Sequence, residues 1–445
     1  MNSAEHSRAY RAAILYFVGD PYQLGEQAWR YHEDGILWVE GGHVKAVGSA
    51  RDVLALLPQY VPLETFTHHL LIPGFIDTHI HYPQTEMIAA YGEQLLNWLN
   101  TYTFPTEMKF QDEAYGARIA NVFLNELLRN GTTTALVFGT VHPQSVDAFF
   151  HAAQQRRLRM IAGKVMMDRN APEALLDTAE QGYRESKALI ERWHGVERLQ
   201  YAVTPRFAPT SSQAQLSKAG QLLQEHPGVY LHTHLAESVE EVAWVKALFP
   251  EHRHYLDVYD QAGLLSRRSV FAHGIHLCDD ECQRLAQSGA GIAHCPTSNL
   301  FLGSGLFPLN QLQKQGVSIG LGTDVGAGTS FSMLRTLDEA YKIQQLHGTR
   351  LDPFQSLYLA TLGGARTLDL EDKIGSLQPG YEADFCLLDL HATPLMEFRM
   401  PQCRSLQETL FALNTLGDDR VIARTYALGQ CAHQREPTLD TKTSD

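Results

Sequence analysis

The segment Leu71-Ile72-Pro73-Gly74-Phe75-Ile76-Asp77-Thr78-His79-Ile80-His81 decides the fold of this chain. Its apolar run Ile72–Ile76 predicts a buried β-strand, and two histidines follow where that run ends. Because side chains alternate along extended backbone, His79 and His81 lie on the same face of the strand. Two neutral imidazoles on one face can bind a single metal ion. The segment therefore predicts a strand that ends in half of a metal site.

Seven further apolar, β-branched runs follow along the chain, each succeeded by a polar loop and a helix-like stretch. This order predicts parallel strands joined by helices, and eight repeats are what a (β/α)8 TIM-type barrel needs. The eight predicted strands are Ile72–Ile76, Thr133–Phe138, Met160–Met166, Leu199–Thr204, Val229–Thr233, Val270–Ala272, Gly291–Ala293 and Val317–Gly322. Among the connections, helices are predicted over Glu113–Asn130 and Asp177–His194, since a glycine follows the polar last turn of each.

The two ends of the chain have a different pattern, typical of antiparallel strands. Gly35–Val39 and Val44–Val47 flank Glu40-Gly41-Gly42-His43, which indicates a hairpin, and Phe385–Leu390 and Arg420–Leu428 are further predicted strands. These strands have no partner in a barrel. We therefore expect residues 1–72 and 374–445 to form one composite small β-sandwich domain beside a catalytic barrel of residues 73–373. A polar tail is expected from Gln434 onward.

Composition narrows the class of protein. The 445 residues carry a formal net charge of -14, which disfavours a nucleic-acid surface because such binding depends on clustered Lys and Arg. The apolar run Ala12–Val18 is too short to cross a membrane and has no cleavage pattern after it, so we expect a cytoplasmic protein. The six cysteines lack the paired short spacings of a thiolate zinc site. A small, freely diffusing substrate is the expectation.

Polar residues at the ends of other predicted strands extend the metal site. The fifth run leads into His232-Thr233-His234-Leu235-Ala236-Glu237, the sixth ends at His273, and the eighth leads to Asp324. Catalytic groups of such barrels project from the carboxyl ends of the strands, so these residues are expected at one rim. His232 lies one pleat deeper than His234, which predicts packing or support of a ligand.

Each of these residues also has an ordinary structural interpretation. A lone His-x-His pair occurs on many surfaces, an aspartate at a strand end often caps a helix, and Glu237 alone could be a solvated charge. Their coincidence on strands one, five, six and eight favours a metal site for zinc or iron. Glu237 then suits proton transfer, Asp324 can ligate and accept a proton, and His273 can stabilise developing charge.

The same residues resemble the amidohydrolase superfamily of metal-dependent hydrolases, whose members share Pro-Gly-x-x-Asp-x-His-x-His, here Pro73 to His81. The likeness extends over nearly the whole chain and is more specific for the members that deaminate guanine. It is carried by Gln84 in His81-Tyr82-Pro83-Gln84, Arg206-Phe207 in Thr204-Pro205-Arg206-Phe207-Ala208-Pro209-Thr210, His234-Leu235-Ala236-Glu237, Cys295-Pro296-Thr297-Ser298-Asn299 and Gly322-Thr323-Asp324-Val325-Gly326-Ala327-Gly328.

The resemblance implies hydrolytic deamination of guanine at C2 to xanthine and ammonia, by a homodimer active in purine catabolism. It implies these roles: His79, His81, His234 and Asp324 hold one Zn²⁺; Glu237, Asp324 and His273 act in catalysis; Gln84, Arg206, Phe207 and His273 bind the base. The chemistry of guanine agrees with these roles. A guanidinium can donate to O6, an amide can pair with ring nitrogens, and an aromatic ring can stack on the base.

Three questions stay open at this point. Dinuclear relatives carry a bridging lysine on the fourth strand, whereas Lys164 falls on the third predicted strand, which favours a single metal. The substrate could instead be another amino-heterocycle, such as a triazine, a pterin or an adenosine-type analogue, because residues outside the motifs shape the pocket. A non-catalytic barrel that serves in an assembly is the remaining alternative, although the intact set of ligands with Glu237 argues against it.

Overall fold

The computed structural model of the protein describes residues 7–91 and 95–436, and a barrel of parallel strands fills its centre. The strands are hydrogen-bonded in sequence order from the first to the last, with one two-residue strand beside this path. They are β5 (Phe75–His81), β6 (Thr132–Phe138), β7 (Arg159–Gly163), β8 (Val165–Met166), β9 (Gln200–Pro205), β10 (Tyr230–Leu235), β11 (Ser269–His273), β12 (Gly291–His294) and β13 (Ser318–Leu321). The predicted (β/α)8 barrel is confirmed.

Hydrogen bonds close the barrel between its first and last strands. The backbone N–H of Asp324 donates to the carbonyl of His79, and the N–H of His81 donates to the carbonyl of Val325, both at 2.9 Å. A close approach of the two strands requires Gly322, because a β-carbon there would lie 2.9 Å from Cβ of His79. The seam therefore joins the segments that carry three of the predicted metal ligands.

Two of the predicted strands are split in the structure. The run Ile72–Ile76 is divided at Gly74, so that residue 72 belongs to the terminal sheet and residue 75 starts β5. The reason is chemical, since Pro73 has no N–H to continue a ladder and a β-carbon on Gly74 would meet the side chain of Thr133 at 2.3 Å. The third run, residues 160–166, is interrupted at Lys164 between β7 and β8.

Helices cover the barrel and connect its strands, as expected for a parallel sheet buried on both faces. The two predicted helices are present over Glu113–Arg129 and Ala179–Trp193. The α-helices are α1 (Pro21–Leu24), α2 (Ala50–Leu54), α3 (Leu95–Trp98), α4 (Phe104–Glu107), α5 (Glu113–Arg129), α6 (Pro143–Gln155), α7 (Ala179–Trp193), α8 (Gln213–Glu225), α9 (Val239–Leu248), α10 (Tyr255–Gln261), α11 (Asp279–Ser288), α12 (Pro296–Phe301), α13 (Leu309–Lys314), α14 (Met333–Leu346), α15 (Pro353–Leu359), α16 (Leu362–Thr367), α17 (Pro394–Arg399) and α18 (Leu406–Leu416). Within the part of the chain that the structure describes, none of the helices combines the length and apolarity of a membrane span.

Strands from both chain ends form a separate sheet, as predicted. Its order is β16-β15-β14-β4-β1-β2-β3, with β1 and β4 parallel and the other pairs antiparallel. The strands are β1 (Ser7–Phe17), β2 (Trp29–Glu40), β3 (His43–Ser49), β4 (Leu63–Pro73), β14 (Phe385–Asp389), β15 (Ile422–Ala427) and β16 (Gln430–Gln434).

The strands of this small β domain follow one another in a single seven-stranded order. The register of β1 shifts against β2 between Ala12 and Ile14 and against β4 between Arg11 and Ala13, and such irregularities increase the twist of a strand. Phe385 and Tyr426 stack at a centroid distance of 4.3 Å, and Tyr10 meets both rings edge-on at 5.1 and 5.0 Å. The boundaries at residues 72 and 374 stay a prediction. Of the predicted polar tail, residues 437–445 lie outside the described residues.

A buried ion cluster fastens this sheet to the amino-terminal ends of the barrel strands. We call Arg159, Arg198, Glu382 and Asp384 the floor network. Nη1 of Arg198 lies 2.7 Å from both Glu382 Oε2 and Asp384 Oδ2, and Arg159 pairs with Glu382 through two nitrogens. The network stands at the opposite end of the barrel from the predicted catalytic rim.

Candidate active site

Four predicted metal ligands converge at the carboxyl end of the barrel. Asp324 Oδ1 lies 3.1 Å from His79 Nε2 and 3.2 Å from His81 Nε2. His81 Nε2 is in turn 3.2 Å from His79 Nε2 and 3.3 Å from His234 Nε2. Strands β5 and β10 and the segment after β13 therefore bring four ligand atoms to one point.

The hydrogen bonds of these histidines favour a cation at that point. Nδ1 of His234 donates to the carbonyl of Arg206 at 2.8 Å, and Nδ1 of His79 lies 2.7 Å from Nε2 of His232. Since a carbonyl oxygen can only accept, Nδ1 of His234 is the donor, and its Nε2 presents a lone pair towards Nε2 of His81. Converging lone pairs without a proton between them repel one another, and a metal ion removes that repulsion. The donor set of three imidazoles and a carboxylate fits a divalent transition metal.

The protonation of the cluster agrees with metal binding. Burial lowers the pKa of His81 to about 3, and burial also lowers the pKa values of His79 and His234, so all three are neutral ligands at pH 7. Burial by itself would raise the pKa of Asp324, but the neighbouring His79 outweighs it and holds that pKa well below its ordinary value. The site is therefore prepared as three neutral nitrogens and one negative oxygen.

Asp77 on β5 fixes the position of Asp324, the predicted ligand in the segment that follows β13. Its carboxylate accepts hydrogen bonds from the backbone N–H of Thr323 at 3.1 Å, the hydroxyl of Thr323 at 2.5 Å and the N–H of His79 at 3.2 Å. Asp324 itself has a left-handed backbone with φ 52°, and His273 likewise has φ 73°. Such conformations cost non-glycine residues about 1–3 kcal/mol each. Two of the proposed site residues are thus held in strained positions.

Glu237 lies next to this cluster without being one of its ligands. It follows β10 and is buried, and its Oε2 lies 3.4 Å from His273 Nε2 while its Oε1 accepts from the hydroxyl of Ser304 at 2.9 Å. Burial and then Asp324 raise the pKa of Glu237 to about 8, and the bond from Ser304 opposes this rise. Glu241 accepts from the Glu237 backbone N–H at 2.9 Å and so fixes its main chain.

His273 is held by Asn299 at the end of β11. Nδ1 of His273 lies 2.9 Å from Oδ1 of Asn299, whereas its Nε2 is buried and has no hydrogen-bond partner among the described residues. That nitrogen lies 3.9 Å from Asp324 Oδ2. A buried polar atom without a partner at this place is suited to a ligand.

The other end of the cavity is built from charged and polar side chains. Arg206 Nη1 donates to both carboxylate oxygens of Glu107, at 3.0 and 2.8 Å. The Gln84 amide donates to Glu107 Oε1 at 3.2 Å and accepts from the backbone N–H of Gly326 at 3.2 Å. We call Gln84, Glu107 and Arg206 the base-end cluster.

One cavity joins the two ends. Eight of the nine predicted site residues line it, and His79 lies directly behind them: the eight are His81, Gln84, Arg206, Phe207, His234, Glu237, His273 and Asp324. The apolar walls are Leu95, Trp98, Leu99, Leu302 and Ala327. The cavity is thus polar at both ends and apolar between them.

Sequence reasoning missed several residues of this site. Glu107 is a charge within a short helix, which is usually solvated, so no local pattern distinguishes it. Ser304 lies in a loop, and Phe138, which stacks on His81 at 4.6 Å, is simply the last residue of an apolar strand. Lys164 lies away from the ligands, since its Nζ pairs with Asp177 at 2.5 Å.

Comparison with known proteins agrees with the site. The model of the amidohydrolase family matches residues 70–431. The chain is 52% identical to guanine deaminase of Escherichia coli K12 over 98% of this chain and all of the relative, and 41% identical to a probable guanine deaminase of Deinococcus radiodurans over 96% and 99%.

Solved structures give the same result. The E. coli guanine deaminase structure superposes with a TM-score of 0.94, covering 96% of this chain and 100% of that one. A guanine deaminase structure from C. acetobutylicum, with guanine bound in its active site, is 27% identical with a TM-score of 0.86, covering 96% and 99%. With a family match across most of its length and a relative at 52% identity, the chain belongs to the amidohydrolase family, among the guanine deaminases of that family.

Proposed function

We propose that this protein hydrolyses guanine to xanthine and ammonia, with one zinc ion held by His79, His81, His234 and Asp324. The observation that carries the proposal is the single cavity in which this ligand cluster faces Arg206 and Gln84. The bound guanine in the C. acetobutylicum relative and the names of the closely similar relatives support the choice of substrate.

The base end selects and orients the substrate in this proposal. The guanidinium of Arg206 donates to the O6 acceptor of the base, and the amide of Gln84 pairs with its ring edge. Phe207, which makes an edge contact with Trp244 at 6.1 Å, supplies a flat apolar surface for the ring. These contacts direct C2 and its amino group towards the histidines.

The residues at the metal end move protons. Zinc at this site would activate water for attack near neutral pH. Glu237 takes a proton as general base and then delivers it to the departing amine as general acid, a role that suits a carboxyl group whose pKa is raised to about 8. His273, whose Nε2 lies 3.4 Å from Glu237 Oε2, stabilises charge that develops at the reacting centre, and Asp324 stabilises the proton transfer as both ligand and acceptor.

The proposal also covers the identity and number of the metal ions, the oligomeric state and the cellular location of the protein. We propose zinc rather than iron, and a single ion, because Lys164 is engaged by Asp177 away from the cluster. A homodimer, a cytoplasmic location and a place in purine catabolism remain predictions from the resemblance and the composition.

An assay of the purified, zinc-loaded protein with guanine tests the proposal. We expect xanthine and ammonia in equal amounts, whereas no turnover of guanine by metal-replete protein would disprove the function. Glu237→Gln should retain the metal and lose about 100- to 10,000-fold in turnover, because the proton carrier is removed. The exposed neighbour Glu240 provides the matched control, and Glu240→Gln should keep turnover within about twofold.

A further inference from the structure

Glu107 is a fully buried carboxylate that belongs to neither the metal cluster nor the apolar walls. It is the last residue of α4, and this helix directly follows a π-helical stretch over Leu99–Thr103. Such irregularities are common near functional sites. A buried carboxylate persists in a protein only when it is paired and hydrogen-bonded. Its partners in the described structure are Gln84 and Arg206, the two residues proposed to recognise the base.

The contact with Arg206 uses only part of the guanidinium. Among the described residues, the hydrogen bonds of this group run from Nη1 to the two oxygens of Glu107. Nε and Nη2 therefore remain for a ligand in the cavity. The guanidinium is also held over the ring of Phe104 at 5.6 Å, so its plane is fixed from two sides.

The contact with Gln84 fixes which way its amide faces. A carboxylate can only accept and a backbone N–H can only donate, so the NH₂ of Gln84 must face Glu107 and its oxygen must face Gly326. Loss of the carboxylate would leave the Gly326 N–H as the only partner of this pair that fixes the amide. Glu107 thus helps to fix the donor pattern that both base-reading side chains present.

Glu107 also balances the charge of Arg206 beside the cavity. Arg206 is always cationic, and it stands in the same cavity as the ligands of a cation. A negative charge at 2.8 Å lets the guanidinium remain buried there.

We propose that Glu107 is a positioning residue that sets the specificity for purines with an oxygen at position six, acting through Arg206 and Gln84 rather than through contact with the substrate. The proposal rests on guanine being the substrate. The loss of Glu107 is therefore expected to weaken recognition of O6 and to leave metal binding unchanged.

The test compares guanine with 2-aminopurine, which lacks O6. In Glu107→Gln, kcat/KM for guanine should fall about 10- to 100-fold, mainly through a higher KM, as buried hydrogen bonds to a charged group are lost. The inhibition constant of 2-aminopurine, measured as a competitor of guanine, should change less than about threefold, since no O6 contact is lost. Bound zinc should stay at the wild-type level.

The matched control is Glu382→Gln, another buried glutamate paired with arginines, at the floor of the barrel. Glu382→Gln should leave both kcat/KM for guanine and the inhibition constant of 2-aminopurine in their wild-type proportion. An equal weakening of guanine and 2-aminopurine in Glu107→Gln would show a merely structural role and overturn the proposal. If the wild type itself fails to hydrolyse guanine, the proposed function fails instead, which separates the two results.

A double-variant cycle keeps the proposal testable if Glu107→Gln folds poorly. In the Arg206→Met background, Glu107→Gln should lower kcat/KM for guanine by a smaller factor than it does in the wild type, because the part of its effect that runs through Arg206 is already lost. The double variant buries no unpaired charge at this contact. A further fall equal to the effect of Glu107→Gln alone would mean that Glu107 acts independently, and the proposal would be wrong.

Discussion

The barrel carries a buried ion cluster at each end of its strands, and the two differ in how completely their atoms are bonded. In the floor network, both oxygens of Glu382 and both of Asp384 have hydrogen-bond donors, and Nε and Nη2 of Arg198 reach the carbonyl of Arg157. At the catalytic rim, by contrast, buried nitrogens of His81, His232, His273 and Asn299 have no partner among the described residues.

The difference separates stability from function. Buried polar groups in native proteins are almost always hydrogen-bonded, and exceptions need an explanation. The floor, with every oxygen bonded, joins the terminal sheet to the barrel. The rim keeps nitrogens without a hydrogen-bond partner, among them Nε2 of the cavity residue His273, and the left-handed backbones of His273 and Asp324. The following variants test whether the rim serves turnover and the floor serves stability. They are ordered by their expected effect on turnover, with the greatest effect first.

Asp324→Asn should have the largest effect, because it removes the single negative charge that the ligand cluster offers to a cation. We expect most of the bound zinc to be lost and turnover to fall by about 1,000-fold or more, measured by elemental analysis and by xanthine formation. Asp384→Asn in the floor network is the control and should keep its metal. Full zinc content and near-normal turnover in Asp324→Asn would contradict the assignment of this ligand.

Ser304→Ala should have an intermediate effect through the proton carrier. The hydroxyl of Ser304 stabilises the charged form of Glu237, and burial already raises the pKa of Glu237 to about 8. Its removal raises that pKa further, so less of the base form exists at neutral pH. The acid limb of the kcat/KM profile should move to higher pH by about one unit, while turnover at alkaline pH changes little.

The distant buried Ser356, which bonds Asn414 at 2.9 Å, serves as the control for this pH measurement. Ser356→Ala should leave the acid limb in place. A shift of the limb to lower pH in Ser304→Ala would mean that the hydroxyl favours the protonated carboxyl group.

The contrast between rim and floor also explains what the sequence could predict. The proposed ligands His79, His81 and Asp324 follow closely after apolar runs, so strand periodicity and barrel geometry bring them to one rim. Arg206 and Phe207, which follow β9, were identified through the resemblance to the family. Residues at the carboxyl ends of strands can be predicted from the sequence, because the barrel places all of these ends at one rim.

Residues that reach the site from connecting segments carried no such signal. Glu107 comes from a short helix between β5 and β6, and Ser304 from a loop after β12, so only tertiary packing brings them to the cavity. The floor network was equally hidden, since Arg198 and Glu382 are 184 positions apart. The division of the run Ile72–Ile76 at Gly74 was also not predicted. An apolar stretch has the same pattern whether its residues belong to one sheet or to two.

Arg198→Met should have the smallest effect on turnover and a large effect on stability. It leaves Glu382 with one arginine and removes the donor to Asp384 Oδ2, so we expect a loss of about 3–5 kcal/mol in the free energy of unfolding, measured with urea. Burial would raise the pKa of Glu382, yet Arg159 and Arg198 hold it below its ordinary value of 4.5. Such a group stabilises the fold above pH 4.5 and loses that contribution as the pH falls. The stability gap between wild type and variant should therefore narrow in acid, while kcat/KM of the folded protein stays within about twofold. A fall in turnover beyond tenfold at full folding would mean that the floor also shapes the rim, and the separation of the two ends would be wrong.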